Sequence, residues 1–349
     1  MLNRTAVVTG ASGLLGSYIT EVLVARGYPV RALTRAKSDS RLLENLGVPV
    51  MRGDLTDPSF ASRAIAGANI VFHCAGRTTN WGPWRDFEQG NIVATENVVA
   101  AANAHSVDRL VHVSSMAVYG HPKMGPELLT EDDPIGQNLW SFDYYNRSKI
   151  AAELATTQFA NRTTIVRPTW FYGPRDKSFI PRVLKALRKN AVWIIGSRTN
   201  QLNGVYVTDL ARACVEAGLR NVAAGQSYNL CAGQGVTQQE LFDILCEGFE
   251  LPKVRRRVPL GVAHHFAHLI ETAARITGQK KPPSISRHSL SVLSRPPQFS
   301  NAKARLDLDW QPKVLHQEGL ARTIEWIKQG EVMDEPTKSP LLLDHSHSL

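Results

Sequence analysis

The chain of 349 residues is 43% hydrophobic and 20% charged, a composition that suits a folded globular protein and excludes a disordered or collagen-like one. Its formal net charge of +9 is scattered, with residues 255–257 (Arg-Arg-Arg) the one tight run, so the run reads as a solvated linker and no nucleic-acid partner is expected. The first residues lack the basic, apolar and small-residue succession of a secretory signal, and Cys74, Cys214, Cys231 and Cys246 lie far apart; a cytoplasmic protein with reduced thiols is expected.

In chain order, β-branched runs at 5–9, 30–33, 50–52, 70–73, 110–114 and 163–166 alternate with longer helical stretches. That alternation predicts an α/β fold, a Rossmann-type doubly wound parallel sheet. The helix expected at 15–26 carries Leu15, Ile19, Val22 and Leu23 on one face and ends at Gly27. Residues 1–168 form the expected dinucleotide-binding domain. Beyond Pro168 the pattern loosens into helices near 179–189, 208–219 and 238–249, read as a smaller C-terminal substrate-binding region over 169–330. A strand at 227–230 can return to the main sheet, and 331–349 reads as a flexible tail.

Gly10, Gly13 and Gly16 follow the first strand and open the first helix. The first permits a tight turn, the second lets backbone approach a pyrophosphate, and the third allows close packing. The N–H groups of the helix start then face the phosphates, which brings in Ser12, Leu14 and Leu15. An acid closing the second strand would signal NAD by bonding the ribose 2′-hydroxyl. Arg31, Thr34 and Arg35 stand there instead, so NADP(H) is favoured, with a 2′-phosphate between Arg31 and Arg35. The alternative, two solvated arginines beside an NAD(H) site, stays open.

Tyr145 and Lys149 have the i, i+4 spacing that sets two side chains on one helix face. A phenol near its ordinary pKa of about 10 is a poor base at neutral pH, and the Lys149 ammonium is expected to bring it down. One segment earlier a strand ends in the hydroxyls of Ser114 and Ser115. His264 and His268 are helix-spaced but lack a third ligand, so no metal is expected. Sequons at Asn3, Asn146 and Asn161 carry no meaning without a secretory signal.

The glycine spacing, the segment from His73 to Gly76, Asn91 with Thr95, and Tyr145 with Lys149 together resemble the extended short-chain dehydrogenase/reductase family, within the NAD-dependent epimerase/dehydratase superfamily. The segment from Arg167 and Pro168 through Tyr172, Gly173 and Pro174 is similar as well, so the resemblance covers roughly residues 5 to 330. It implies that Asp54 and Leu55 meet the adenine, and that Ala75, Asn91 and Pro168 also line the cofactor. It further implies that Ser115, Tyr145 and Lys149 are catalytic, with Lys149 also on the nicotinamide ribose and Ser114 as cofactor-side support. In the reduction so expected, hydride passes from nicotinamide to a carbonyl carbon while Tyr145 donates a proton to the oxygen held by Ser115.

Sugar-nucleotide epimerases of this family carry an arginine where this chain has Leu202 and Asn203. The C-terminal pattern from Pro282 to Pro312 resembles 3β-hydroxysteroid dehydrogenase-like proteins and long-chain β-keto acid reductases. The expected function is therefore an NADP(H)-dependent oxidoreductase interconverting a secondary hydroxyl and a ketone on a hydrophobic small molecule. The alternatives are a nucleotide-sugar epimerase or dehydratase with tightly held NAD, and a non-catalytic NADP-binding regulator. Trp81, Trp84 and the helix at 259–277 either line an apolar cleft or pack as core. The same helix, too polar to span a bilayer, suits peripheral membrane contact. A homodimer is also compatible with the sequence.

Overall fold

The computed structural model describes residues 4–122, 128–279, 281–283, 285–294 and 298–330; the predicted tail at 331–349 lies outside them. Seven strands form one sheet: β1 (Ala6–Thr9), β2 (Val30–Thr34), β3 (Val50–Arg52), β4 (Ile70–His73), β5 (Arg109–Val113), β6 (Thr163–Pro168) and β7 (Ser227–Leu230). Their spatial order is β7-β6-β5-β4-β1-β2-β3, with every pairing parallel. The late strand does rejoin the sheet, with Ser227 opposite Ile165 on β6.

The helices used below are α1 (Leu14–Ala25), α2 (Pro58–Ile65), α3 (Ala94–Ala104), α4 (Tyr144–Ala155), α5 (Phe179–Arg188), α6 (Val207–Leu219), α7 (Gln238–Gly248), α8 (Leu260–Ile276), α9 (Arg287–Ser294) and α10 (His316–Lys328). Successive strand residues point to opposite faces, so each central strand divides its apolar side chains between two cores. Val8, Ile70 and Phe72 pack with Ile19 of α1 and Leu210 of α6. Val7 and Val71 pack on the other face with Ala64 of α2 and Val98 of α3. Full burial of such side chains stabilises by roughly 1.5–3 kcal/mol each, which explains why these strands read as uninterrupted apolar runs.

A third core joins α5, α7 and α10 through Ile180, Leu187, Leu241, Leu245, Leu320 and Ile324, beyond the carboxyl ends of the main strands. Chain crossings lie on opposite faces on either side of the β1–β4 pair, which leaves a crevice at their carboxyl ends.

Candidate active site

A cleft of about 1400 Å³ runs from the loop after β1, past the ends of β4 and β5, to α8, α9 and α10. Gly10 turns the chain with φ +63°, and a Cβ there would sit 2.9 Å from Ala75 backbone atoms. Only glycine lets the β1 loop and the β4 end approach so closely. Gly13 is the N-cap of α1 with no side-chain cap, so the first N–H groups of that helix stay available to an anion. Ser12, Leu14, Leu15, Gly16, Arg35, Asp54, Leu55, Ala75 and Pro168 all line the cleft. Thr34 Oγ1 and Ser114 Oγ, buried among the cleft-lining residues, have no hydrogen-bond partner among the described residues. The cradle, the free helix start and these orphaned hydroxyls fit a dinucleotide.

Arg31 does not join them. As the second residue of β2 it points to the α2 side, where its guanidinium donates to the carbonyls of Ala64 and Ala66, each at 2.9 Å. Strand alternation and the free carbonyls past the end of α2 claim this side chain. Asn91 also departs from expectation, since it is buried and lies outside the cleft lining. It stands in a π-helical turn, Glu88–Val93, that leads into α3. Its side chain accepts from the Arg77 N–H at 2.6 Å and donates to Ser148 Oγ at 2.8 Å.

Behind the cleft a directed chain of hydrogen bonds joins these parts. Thr95 Oγ1 donates to the Asn91 carbonyl at 2.6 Å, so it accepts from His73 Nε2 at 3.0 Å. His73 Nδ1 then accepts from Thr9 Oγ1 at 2.8 Å, which in turn accepts the Ala75 N–H at 3.1 Å. Burial pushes His73 down to about 3, so the imidazole stays neutral and this tautomer is the one that satisfies every partner. Ser148 Oγ donates to the carbonyl of Tyr145 at 2.8 Å, which carries the chain to α4. Further along α4, Glu153 holds Arg167 of β6 through two bonds of 3.0 and 2.8 Å.

Ser115, Tyr145 and Lys149 meet in the cleft. Ser115 caps a short 3-10 turn, accepting the Ala117 N–H at 3.2 Å, and its hydroxyl lies beside the Tyr145 phenol. Burial raises the phenol above its ordinary value, and the neighbouring Ser115 hydroxyl offsets part of that rise. The expectation that Lys149 lowers it is therefore corrected: no lowering by the lysine is resolved. Lys149 Nζ is directed at the Val113 carbonyl, 3.0 Å away, and is itself brought down to about 8, chiefly by burial. The arrangement presents a protonated phenol to a carbonyl oxygen, with an ammonium close behind.

The other half of the cleft is lined by Trp170, Phe171, Phe179, Leu260, Phe299 and Trp326. Trp81 and Trp84 lie outside the lining. Trp81 packs under Arg275, 4.5 Å from its ring centre, and Trp84 meets Tyr144 edge-on. They are wall rather than surface. Of α8, Leu260 and His264 reach the cleft. Sequence reading missed Thr34 and Arg41 on the cofactor side, and His121 and His288 on the substrate side. Thr34 was detectable as the residue closing β2; the two histidines carry no local signal.

Residues 6–231 match the NAD dependent epimerase/dehydratase family. A 2-alkyl-3-oxoalkanoate reductase of Stenotrophomonas maltophilia is 30% identical over 326 residues, spanning 90% of this chain and 97% of that protein. A 4-hydroxy-2-methyl-3-oxo-4-farnesyl-3,4-dihydroquinoline-1-oxide ketoreductase of Stigmatella aurantiaca is 31% identical, spanning 90% and 93%. The crystal structure of gox2253 superposes with a TM-score of 0.77 over 96% of this chain and 100% of that one, at 25% identity. With the match running from β1 through β7, the whole of the parallel sheet, the chain belongs to the NAD dependent epimerase/dehydratase family and is an oxidoreductase within it.

Proposed function

We propose that this oxidoreductase interconverts a ketone and a secondary alcohol on a steroid-like or long-chain β-keto substrate, with NADP(H) as cofactor. The observation that carries the reading is the Tyr145 phenol beside Ser115 where the cleft passes from its glycine-loop half to its apolar half. Bound nicotinamide supplies or accepts the hydride. In reduction Tyr145 donates its proton to the carbonyl oxygen and Ser115 bonds the same oxygen, while Lys149 would bond the nicotinamide ribose. A screen of NADPH oxidation with ketosteroids, β-keto acids and UDP-sugars tests this. Turnover confined to UDP-sugars, with the cofactor retained, would instead make the protein an epimerase.

The NADP preference rests on the end of β2. Thr34 offers an unpartnered hydroxyl there, and the exposed Arg35 lines the same cleft. The nearby acid, Asp39, is held by Arg41 at 3.2 and 3.0 Å and so is not free for a ribose hydroxyl. Arg35→Asp is expected to raise the Kd for NADPH roughly 10- to 100-fold, the worth of a charge-assisted bond to phosphate, and to change that for NADH far less. Equal losses, measured by fluorescence titration, would remove the basis for the preference.

The unpaired cysteines suit a reducing, cytoplasmic setting. No helix among the described residues is long and apolar enough to cross a membrane. The outer face of α8 nevertheless presents Val262, Phe266, Leu269, Ile270 and Ile276, between 42% and 81% exposed. Its one acid, Glu271, is buried against Arg275 and Arg287, and the exposed Arg255, Arg256 and Arg257 precede it. An apolar face flanked by cations fits the surface of an anionic bilayer. Phe266→Glu with Leu269→Glu is expected to weaken sedimentation with phosphatidylglycerol vesicles on the order of a hundredfold. Wild-type protein left wholly in the supernatant would refute the contact, and a variant that changes only oligomeric state would assign the face to a second copy.

A further inference from the structure

We infer that His288, together with the turn of α9 that carries it, forms a carboxylate subsite beside Tyr145, so that the preferred ketone bears a carboxylate one carbon from the reacting carbonyl. The inference rests on the ketone-reducing reading above and narrows its substrate. His288 lines the cleft and meets the Tyr145 ring edge-on, with centroids 6.1 Å apart and planes at 81°. Its ring has no hydrogen-bond partner among the described residues, although the ring lies on the cleft wall against the reactive phenol. A polar ring left unpaired at such a place is open to a substrate group.

The surrounding charges decide what it recognises. Asp143, at the start of α4, is bound to His121 Nε2 at 2.8 Å. Glu271 on α8 is held by Arg275 and Arg287, each at 3.3 Å. Both acids that face His288 are thus engaged by other side chains, and Arg182 of α5 adds positive charge. Burial holds the imidazole below its ordinary value, so at neutral pH it is a neutral N–H donor that gains by meeting an anion. Ser291, one turn on, also lines the cleft, but its hydroxyl donates to the His288 carbonyl at 2.8 Å, which leaves the imidazole as the donor of this turn.

The spacing matches one substrate class. With ordinary bond lengths, a carboxylate one carbon from a ketone lies roughly 3–4 Å from the ketone oxygen. A carbonyl seated on Tyr145 therefore brings that carboxylate to a ring in contact with Tyr145. A neutral ketosteroid offers nothing for His288 to bond, and a sugar nucleotide would place its diphosphate much farther away.

The test compares a long-chain 3-oxo acid with its methyl ester, in wild type, His288→Leu and His288→Gln. Wild type is expected to favour the acid about tenfold or more in kcat/KM, the worth of a hydrogen bond to a charged group. In His288→Leu that ratio falls to near one, with the loss carried by KM, and His288→Gln recovers part of it through its N–H donor. Calorimetric binding of acid and ester to the NADP⁺ complex gives a readout independent of turnover. An acid-to-ester ratio unchanged in His288→Leu, in both binding and turnover, would reduce His288 to packing and overturn the subsite. No turnover of either compound, with acid binding still dependent on His288, would keep the subsite and defeat the reductase reading instead.

Discussion

Tyr145→Phe is expected to lower kcat for ketone reduction by about three orders of magnitude, near 4 kcal/mol of transition-state stabilisation, while leaving dinucleotide affinity within a few-fold. In the proposed reaction the phenol is the proton source, and burial keeps it protonated at neutral pH. Phenylalanine preserves the ring, its contact with His288 and the backbone carbonyl that receives Ser148, so only the O–H is lost. Steady-state kinetics paired with fluorescence titration of NADPH checks both halves. Retained turnover would show that another group delivers the proton.

Lys149→Met should remove turnover to a similar extent and, in the same protein, increase stability. Burial lowers the Lys149 ammonium from its ordinary 10.5 to about 8. The folded state thus binds fewer protons than the unfolded chain between those two values, and stability rises with pH across that window. Below pH 8 the full cost of the buried charge is present, about 3 kcal/mol. Above 10.5 it has gone. Methionine fills similar space without the charge, at a loss of about 1 kcal/mol for the bond to the Val113 carbonyl. A net gain of about 2 kcal/mol would raise the unfolding midpoint by several degrees at pH 7. The gap between variant and wild type should narrow as pH climbs from 8 to 10.5. A variant less stable than wild type at pH 7 would contradict the desolvation argument.

The seven strands and the glycine loop were legible because their signals are local: double-sided burial demands unbroken β-branched runs, and a turn such as that at Gly10 admits no Cβ. Tyr145 and Lys149 were legible through helical spacing, but their electrostatics were not. Whether an ammonium faces the phenol or a carbonyl such as Val113 depends on where β5 ends relative to α4. Arg31 was misread even though strand alternation puts it on the α2 face with Leu33; Arg35 shares that parity but lies past the end of β2. Trp81 stayed open between cleft lining and core because an apolar ring in a loop carries no sign of which side it packs on; Arg275, far along the chain, settles that. His288 lies 143 positions from Tyr145 in sequence, and only the fold brings the two rings together.

The hydrogen-bonded chain from Ala75 through Thr9, His73, Thr95 and Asn91 to Ser148 bears on affinity as well as shape. Loop, sheet ends and α4 are thus tied to one another within the fold itself. Their loss of conformational freedom is therefore complete before any dinucleotide arrives, and binding need not order them again. More of the intrinsic contact energy then survives as observed affinity. A cofactor that must come and go with each turnover consequently needs weaker direct contacts here than it would on a mobile loop.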